Sequence, residues 1–180
     1  MSIDIDKLDK KQTYVVLEWG TSKISKLIDR FTREFFPAAS FRPSHVLALI
    51  YNRGWWIYES HLKPEPKYKI PSGTRKYRWK IFEKVFPKII YSTGAVYPIE
   101  LDVKQLENNL GLPYGVKDIT EFVKVVLSPH YDQMNRKGMV CSEYIATGCT
   151  AIREYFKSAP YKITPAHFFK YFIENKIHPV

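Results

Sequence analysis

Two apolar runs separated by three residues constrain this chain more than any other feature. Ser44 to Tyr51 and Trp55 to Ser60 flank Asn52-Arg53-Gly54, a turn-forming triplet between β-branched and aromatic residues, which predicts a β-hairpin. A three-residue loop sets the register: Tyr51 pairs with Trp55, Leu49 with Ile57, Leu47 with Glu59, and His45 with His61. Side chains alternate along a strand, so His45, Leu47, Glu59 and His61 share one face. His45 and Glu59 become diagonal neighbours, about 7–8 Å apart between Cα atoms and within reach of each other's side chains. A loop one residue shorter or longer would turn Glu59 to the opposite face. Glu59 follows Trp55, Trp56, Ile57 and Tyr58, where a carboxylate is costly to bury unless it is paired.

The remaining pattern reads as strands first and helices later. Tyr14 to Trp19 is β-branched and aromatic and predicts a short strand. Thr21 to Phe36 carries Ile24, Leu27, Ile28, Phe31 and Phe35 at helical spacing, with Pro37 as a stop. Further strands are expected over Tyr77 to Phe82 and Ile89 to Ser92. Asp102 with Gln105 resembles a capping box, with Gly111 as a C-terminal stop, and Asp118 with Glu121 repeats the pattern ahead of Phe122 to Leu127. After a polar loop, Ser128 to Gly138, one helix is expected over Cys141 to Phe156. Thr164-Pro165 opens a last one through Glu174. This order predicts an α+β fold, an antiparallel sheet packed against helices, in a single domain over residues 1–180.

Composition removes several classes. At 45% hydrophobic and 26% charged residues the chain is globular, not disordered. No run of about eighteen apolar residues is present, so no transmembrane helix is expected. Met1 to Lys11 has no apolar stretch of the kind a signal peptide needs, which fits a cytoplasmic or phage-encoded protein. Cys141 and Cys149, eight apart on one expected helix, would lie about 12 Å apart, too far to bridge. A disulfide scaffold and a multi-cysteine zinc site are both excluded, and no metal or cofactor is called for. The net charge of +10 is concentrated. Between His61 and Ile90 stand Lys63, Lys67, Lys69, Arg75, Lys76, Arg78, Lys80, Lys84 and Lys88, opposed only by Glu65 and Glu83 and interleaved with aromatics. Such a stretch suits an anionic partner: nucleic acid, acidic lipid or an anionic wall polymer. It also reads as a solvated basic face. No zinc-finger or RNP signature accompanies it.

Cys141 is the best-placed nucleophile. It follows a polar loop and opens a helix in Met139-Val140-Cys141-Ser142-Glu143, where the helix dipole and free backbone N–H groups favour thiolate. The same N–H groups, Ser142 among them, could hold an oxyanion. Packing explains Cys149, mid-helix beside Gly148 and Ala151. Of the histidines, His178 lies in the tail, His167 in an aromatic helix and His130 in a loop. His45 opens an apolar strand, where a polar residue needs a reason.

The ordered set Ser44-His45-Val46, Tyr58-Glu59-Ser60, Leu110-Gly111-Leu112-Pro113-Tyr114-Gly115 and Val140-Cys141-Ser142-Glu143-Tyr144 resembles the circularly permuted papain-like amidases of the NlpC type, often called YaeF/YiiX-like. The likeness covers about the middle hundred residues, with His before Cys as in the permuted branch. It implies Cys141 as nucleophile, His45 as general base and Glu59 as the group orienting the imidazole. It also implies Tyr114 as a site-lining or oxyanion-supporting residue, and no cofactor. The activity implied is hydrolysis of an amide, cell-wall peptides included, through a thioester. Relatives similar to lecithin–retinol acyltransferase move acyl groups instead. The glycine-rich lead-in expected before the site strand is missing from Ser44 to Tyr51, and the basic stretch matches no motif of the family.

Overall fold

The computed structural model describes residues 3–19, 26, 43–86, 94–115 and 138–180. The expected helix over 21–36, the strand over 89–92, the second capping box with the 122–127 helix, most of the 128–138 loop, and His130 all lie outside the described residues.

Five strands form one antiparallel sheet: β1 (Thr13–Glu18), β2 (His45–Tyr51), β3 (Trp55–His61), β4 (Gly73–Arg78) and β5 (Gly94–Pro98), in the order β4-β3-β2-β1-β5. The fold is α+β, with helices α1 (Trp79–Val85), α2 (Val103–Asn108), α3 (Cys141–Gly148), α4 (Thr150–Phe156) and α5 (Pro165–Glu174) among the described residues. None of these helices is long and apolar enough to cross a membrane.

The hairpin adopts the register that its loop length dictates: Ala48 faces Tyr58, Leu49 faces Ile57, Ile50 faces Trp56 and Tyr51 faces Trp55. The turn closes with Arg53 at φ 50° and Gly54 at φ 124°, a conformation open to glycine and strained for other residues. Arg78 on β4 steadies it, donating from Nη1 to the Arg53 carbonyl at 2.9 Å.

β2 is almost wholly apolar because the sheet is covered on both sides. Val15, Leu17, Val46, Ala48, Ile50 and Tyr58 pack under the helices with Leu106, Tyr144, Ile145, Ile152, Phe168 and Phe172. Tyr14, Val16, Leu47, Leu49, Ile57 and Tyr77 form a second core with Leu8, Ile70, Trp79 and Phe82. Each buried Val, Leu, Ile or Phe among them contributes about 1.5–3 kcal/mol relative to exposure.

Two expected elements are corrected. The strand expected over Tyr77 to Phe82 ends at Arg78, and Trp79–Val85 is helical. There a helical spacing overrides the β-propensity of the aromatics. The Trp79 ring packs at a tilt against Phe82, and Phe82 against Phe86, and Trp79 Nε1 donates to Glu83 Oε1 four residues on at 2.7 Å. The single helix expected from Cys141 to Phe156 is broken at Cys149. The Gly148 carbonyl accepts from the Asp102 backbone N–H at 2.8 Å, a partner outside the helix, and the chain turns there.

Both readable caps form. The Asp102 side chain accepts from Gln105 N–H at the start of α2. At α5, Thr164 and His167 form a reciprocal capping box, the imidazole Nδ1 standing where Glu or Gln is usual. Burial, and then Lys170, push His167 down to about 4, so its ring stays neutral and able to accept.

Candidate active site

β2 begins at His45 and β3 ends at His61, and the hairpin register sets their side chains and that of Glu59 on one face. The expected diagonal contact is present: His45 Nε2 lies 3.1 Å from Glu59 Oε2. His45 retains 17% of its side-chain exposure and Glu59 only 2%.

The next strand completes the surroundings of Glu59. β4 aligns Arg75 with Glu59 and Tyr77 with Ile57, so Arg75 and Tyr77 share its face. Arg75 donates from Nε at 2.9 Å and from Nη2 at 2.6 Å to Glu59 Oε1, and the Tyr77 hydroxyl donates to the same oxygen at 2.6 Å. Arg75 Nη1 reaches the carbonyls of Lys63 and Pro71 at 2.8 and 2.9 Å. Burial alone would raise the Glu59 carboxyl. The His45 hydrogen bond and the charges of Arg75 and His45 outweigh it and hold the group well below the usual carboxylate range. Glu59 is therefore held as a carboxylate with both oxygens engaged.

Cys141 is the first residue of α3, and Val140 is the N-cap. Two hydrogen bonds place that helix start: Ser60 Oγ donates to the Met139 carbonyl at 2.6 Å, and Met139 N–H donates to the Pro113 carbonyl at 3.0 Å. Gly138 is needed for the second approach, since a Cβ there would stand 2.5 Å from the Pro113 oxygen. Tyr144 N–H makes the first helical bond, to Val140, so the N–H groups of Cys141 and Ser142 have no partner one turn back within the helix. The Ser142 side chain is buried.

The Cys141 side chain reaches His45. Burial by itself would lower the imidazole, but the charge and hydrogen bond of Cys141, then Glu59 and Glu18, raise it well above 6.5. With Nε2 turned to Glu59, Nδ1 is the ring nitrogen left for the thiol. Cys141 itself is 3% exposed, because it packs into the helix-side core. Tyr114 is half-buried in the same neighbourhood. Burial and the nearby Cys141 and Glu59 push its phenol up, so it remains a neutral donor.

His61 stands edge-on to His45 with ring centroids 5.7 Å apart. Burial lowers it, and Lys63 N–H donates to its Nδ1 at 3.2 Å, which fits a neutral ring. Cys149 is separate from the site: fully buried and pushed up to about 11, it is an inert thiol. His167 serves the α5 cap and His178 lies beyond α5, so neither joins the site. Among the described residues no group of three His, Cys, Asp or Glu is arranged to hold a metal ion.

Arg75 and Tyr77 are the members of this cluster that sequence reasoning did not single out. Their two-residue spacing is visible in the sequence, but it lies inside the basic, aromatic stretch. That stretch is not one surface. Arg75 is buried on Glu59, Lys76 pairs with Glu107 at 2.7 Å on the opposite face of β4, and Arg78 lies 3.9 Å over the Trp56 ring. No protein-family model matches the chain, and no curated protein matches its sequence.

Proposed function

We propose that this protein is a cysteine hydrolase, an amidase or peptidase with a Cys141–His45–Glu59 triad on a circularly permuted papain-like fold. The observation that carries this reading is the geometry of His45. Its Nε2 is engaged by an ionised, fully buried carboxylate while Cys141 lies within its hydrogen-bonding reach. The order of elements agrees with it: the histidine opens a strand, and the cysteine follows later at the start of a helix against the sheet.

In this mechanism His45 Nδ1 takes the Cys141 proton, and the imidazolium is oriented by Glu59. The thiolate attacks the carbonyl carbon. The oxyanion that forms is met by the N–H groups at the start of α3, with the Tyr114 hydroxyl as a second donor. Collapse breaks the C–N bond, and His45 returns its proton to the leaving amine. A water molecule, deprotonated by His45, then cleaves the thioester and regenerates the thiol. Transfer to another acceptor in place of water would make the same site an acyltransferase.

The substrate class is anionic, a cell-wall peptide rich in carboxylates or an acidic lipid. Lys63 supports this choice. Its backbone is tied to His61 and Arg75, so its exposed ammonium is anchored beside the site.

Alkylation and turnover test the reading. Iodoacetamide at pH 6 should label Cys141 and spare Cys149. Cys141→Ala should abolish hydrolysis of amide substrates with little change in thermal unfolding, while Cys149→Ala stays active. An active Cys141→Ala protein would end the enzyme reading. Steeply salt-dependent nucleic-acid binding without turnover would favour a basic binding module.

A further inference from the structure

We propose that Glu18 is a second carboxylate of this site, a positioning residue that sets the ionisation of His45 without touching substrate. The inference rests on the triad reading above.

Glu18 is the last residue of β1, and the sheet register sets it directly opposite His45. Direct cross-strand partners project to the same face, with Cβ atoms about 4.5–5.5 Å apart. Its backbone carbonyl accepts from Ser44 N–H at 2.9 Å, which ties β1 to the start of β2 where the imidazole sits. The residue is 4% exposed, and its Oε1 is buried with no hydrogen-bond partner among the described residues. A buried acceptor left this way is costly and calls for a compensating charge.

The groups that face Glu18 identify that charge. Among the described residues it stands opposite His45 on β2 and Gly94 on β5, and its charge is also felt by Glu59 on β3 and Tyr77 on β4. Arg75 is committed, with Nε and Nη2 on Glu59 and Nη1 on two carbonyls. It cancels the charge of Glu59 and leaves that carboxylate to orient the ring. An imidazolium on His45 then finds its further counter-charge in Glu18. Burial raises Glu18 to about 7, with His45 pulling it down and Glu59 pushing it up. Below that range Glu18 holds a proton. Above it, the proton leaves to water and the carboxylate favours the protonated ring.

The test follows the His45 imidazole by nitrogen-15 NMR from pH 5 to 10 in the wild-type protein and in Glu18→Gln. The wild-type His45 signals should show an inflection near pH 7 in addition to the titration of the ring itself. In Glu18→Gln that inflection should vanish, and the ring should titrate about one pH unit lower, a tenfold change in its protonation equilibrium. Alkylation of Cys141 by iodoacetate, whose alkaline decline follows loss of the imidazolium, should shift by the same amount. A packing role would leave both profiles in place. Wild-type His45 signals without the inflection overturn the proposal, whether or not the variant folds. A folded Glu18→Gln protein with an unmoved alkaline limb also overturns it. Failure of the triad reads differently: iodoacetate would leave Cys141 unmodified at pH 6, while the Glu18–His45 coupling stayed visible by NMR.

Discussion

Replacing Arg75 by Met keeps the length of the stem and removes only the guanidinium. In the folded protein Arg75 is 2% exposed and Glu59 is 1% exposed, so water cannot take over the two bonds to Glu59 Oε1. The variant leaves a buried carboxylate with one hydroxyl donor on Oε1 and His45 on Oε2. Breaking a buried pair from one side costs about 3–5 kcal/mol, which is a large part of the stability of a domain and corresponds to a fall of roughly 6–20 °C in Tm. Calorimetry at pH 7.5 should record that loss. The double variant Arg75→Met/Glu59→Gln should recover most of it, because neither charge is then stranded. The pH dependence has a definite sign. Glu59 is held well below its ordinary value, so its pairing stabilises the wild type above the normal carboxylate range and is lost as pH falls through the depressed value. Without Arg75 the burial of Glu59 favours the protonated form. The gap between wild type and variant should therefore be widest near neutrality and narrow below about pH 4. A loss under about 1 kcal/mol at pH 7.5, the size for an exposed pair, would refute the claim that this ion pair holds the site together.

Two further outcomes are expected. Thr164→Ala removes one half of the reciprocal cap at the start of α5 and should lower stability by about 1 kcal/mol, read by urea unfolding, with no effect on alkylation of Cys141. Turnover of an anionic substrate should fall between about 20 and 300 mM salt, as the Debye length shortens from about 20 to 6 Å. Lys63→Gln should flatten that dependence, and a kcat/KM that is level in the wild type would remove the steering role.

The hairpin was legible because it is local. A three-residue loop and a period of two decide which side chains meet, so His45 and Glu59 could be paired by counting. The α5 cap was legible for the same reason, since Thr164 and Pro165 act within one turn. Arg75 and Tyr77 were not, because the connection between β3 and β4 spans residues 62–72 and no turn type sets a register across it. Glu18 was hidden in the same way: its pairing with His45 depends on strands separated by the segment 19–44. The break at Cys149 depends on Asp102, almost fifty residues away, capturing the Gly148 carbonyl. The Trp79–Val85 helix is within reach of the sequence, since Trp79, Phe82, Glu83 and Phe86 have helical spacing, although the β-propensity of the aromatics points the other way.

What the paired strands add is a division of labour that composition conceals. The chain carries +10 overall, and its densest basic stretch reads as a surface for anions. Alternation along β4 splits that stretch. Lys76 and Arg78 go to one face, where Glu107 and Trp56 occupy them, while Arg75 goes inward to Glu59. A basic residue of that stretch thus joins the His45 hydrogen bond in keeping a buried carboxylate ionised. Orientation of the His45 ring needs that carboxylate ionised, and ionisation in a dry environment needs Arg75. The polar face across β2, β3 and β4 stands or falls as a unit. Its position at the start of β2, beside the start of α3, is what brings a histidine on the sheet to a cysteine on a helix.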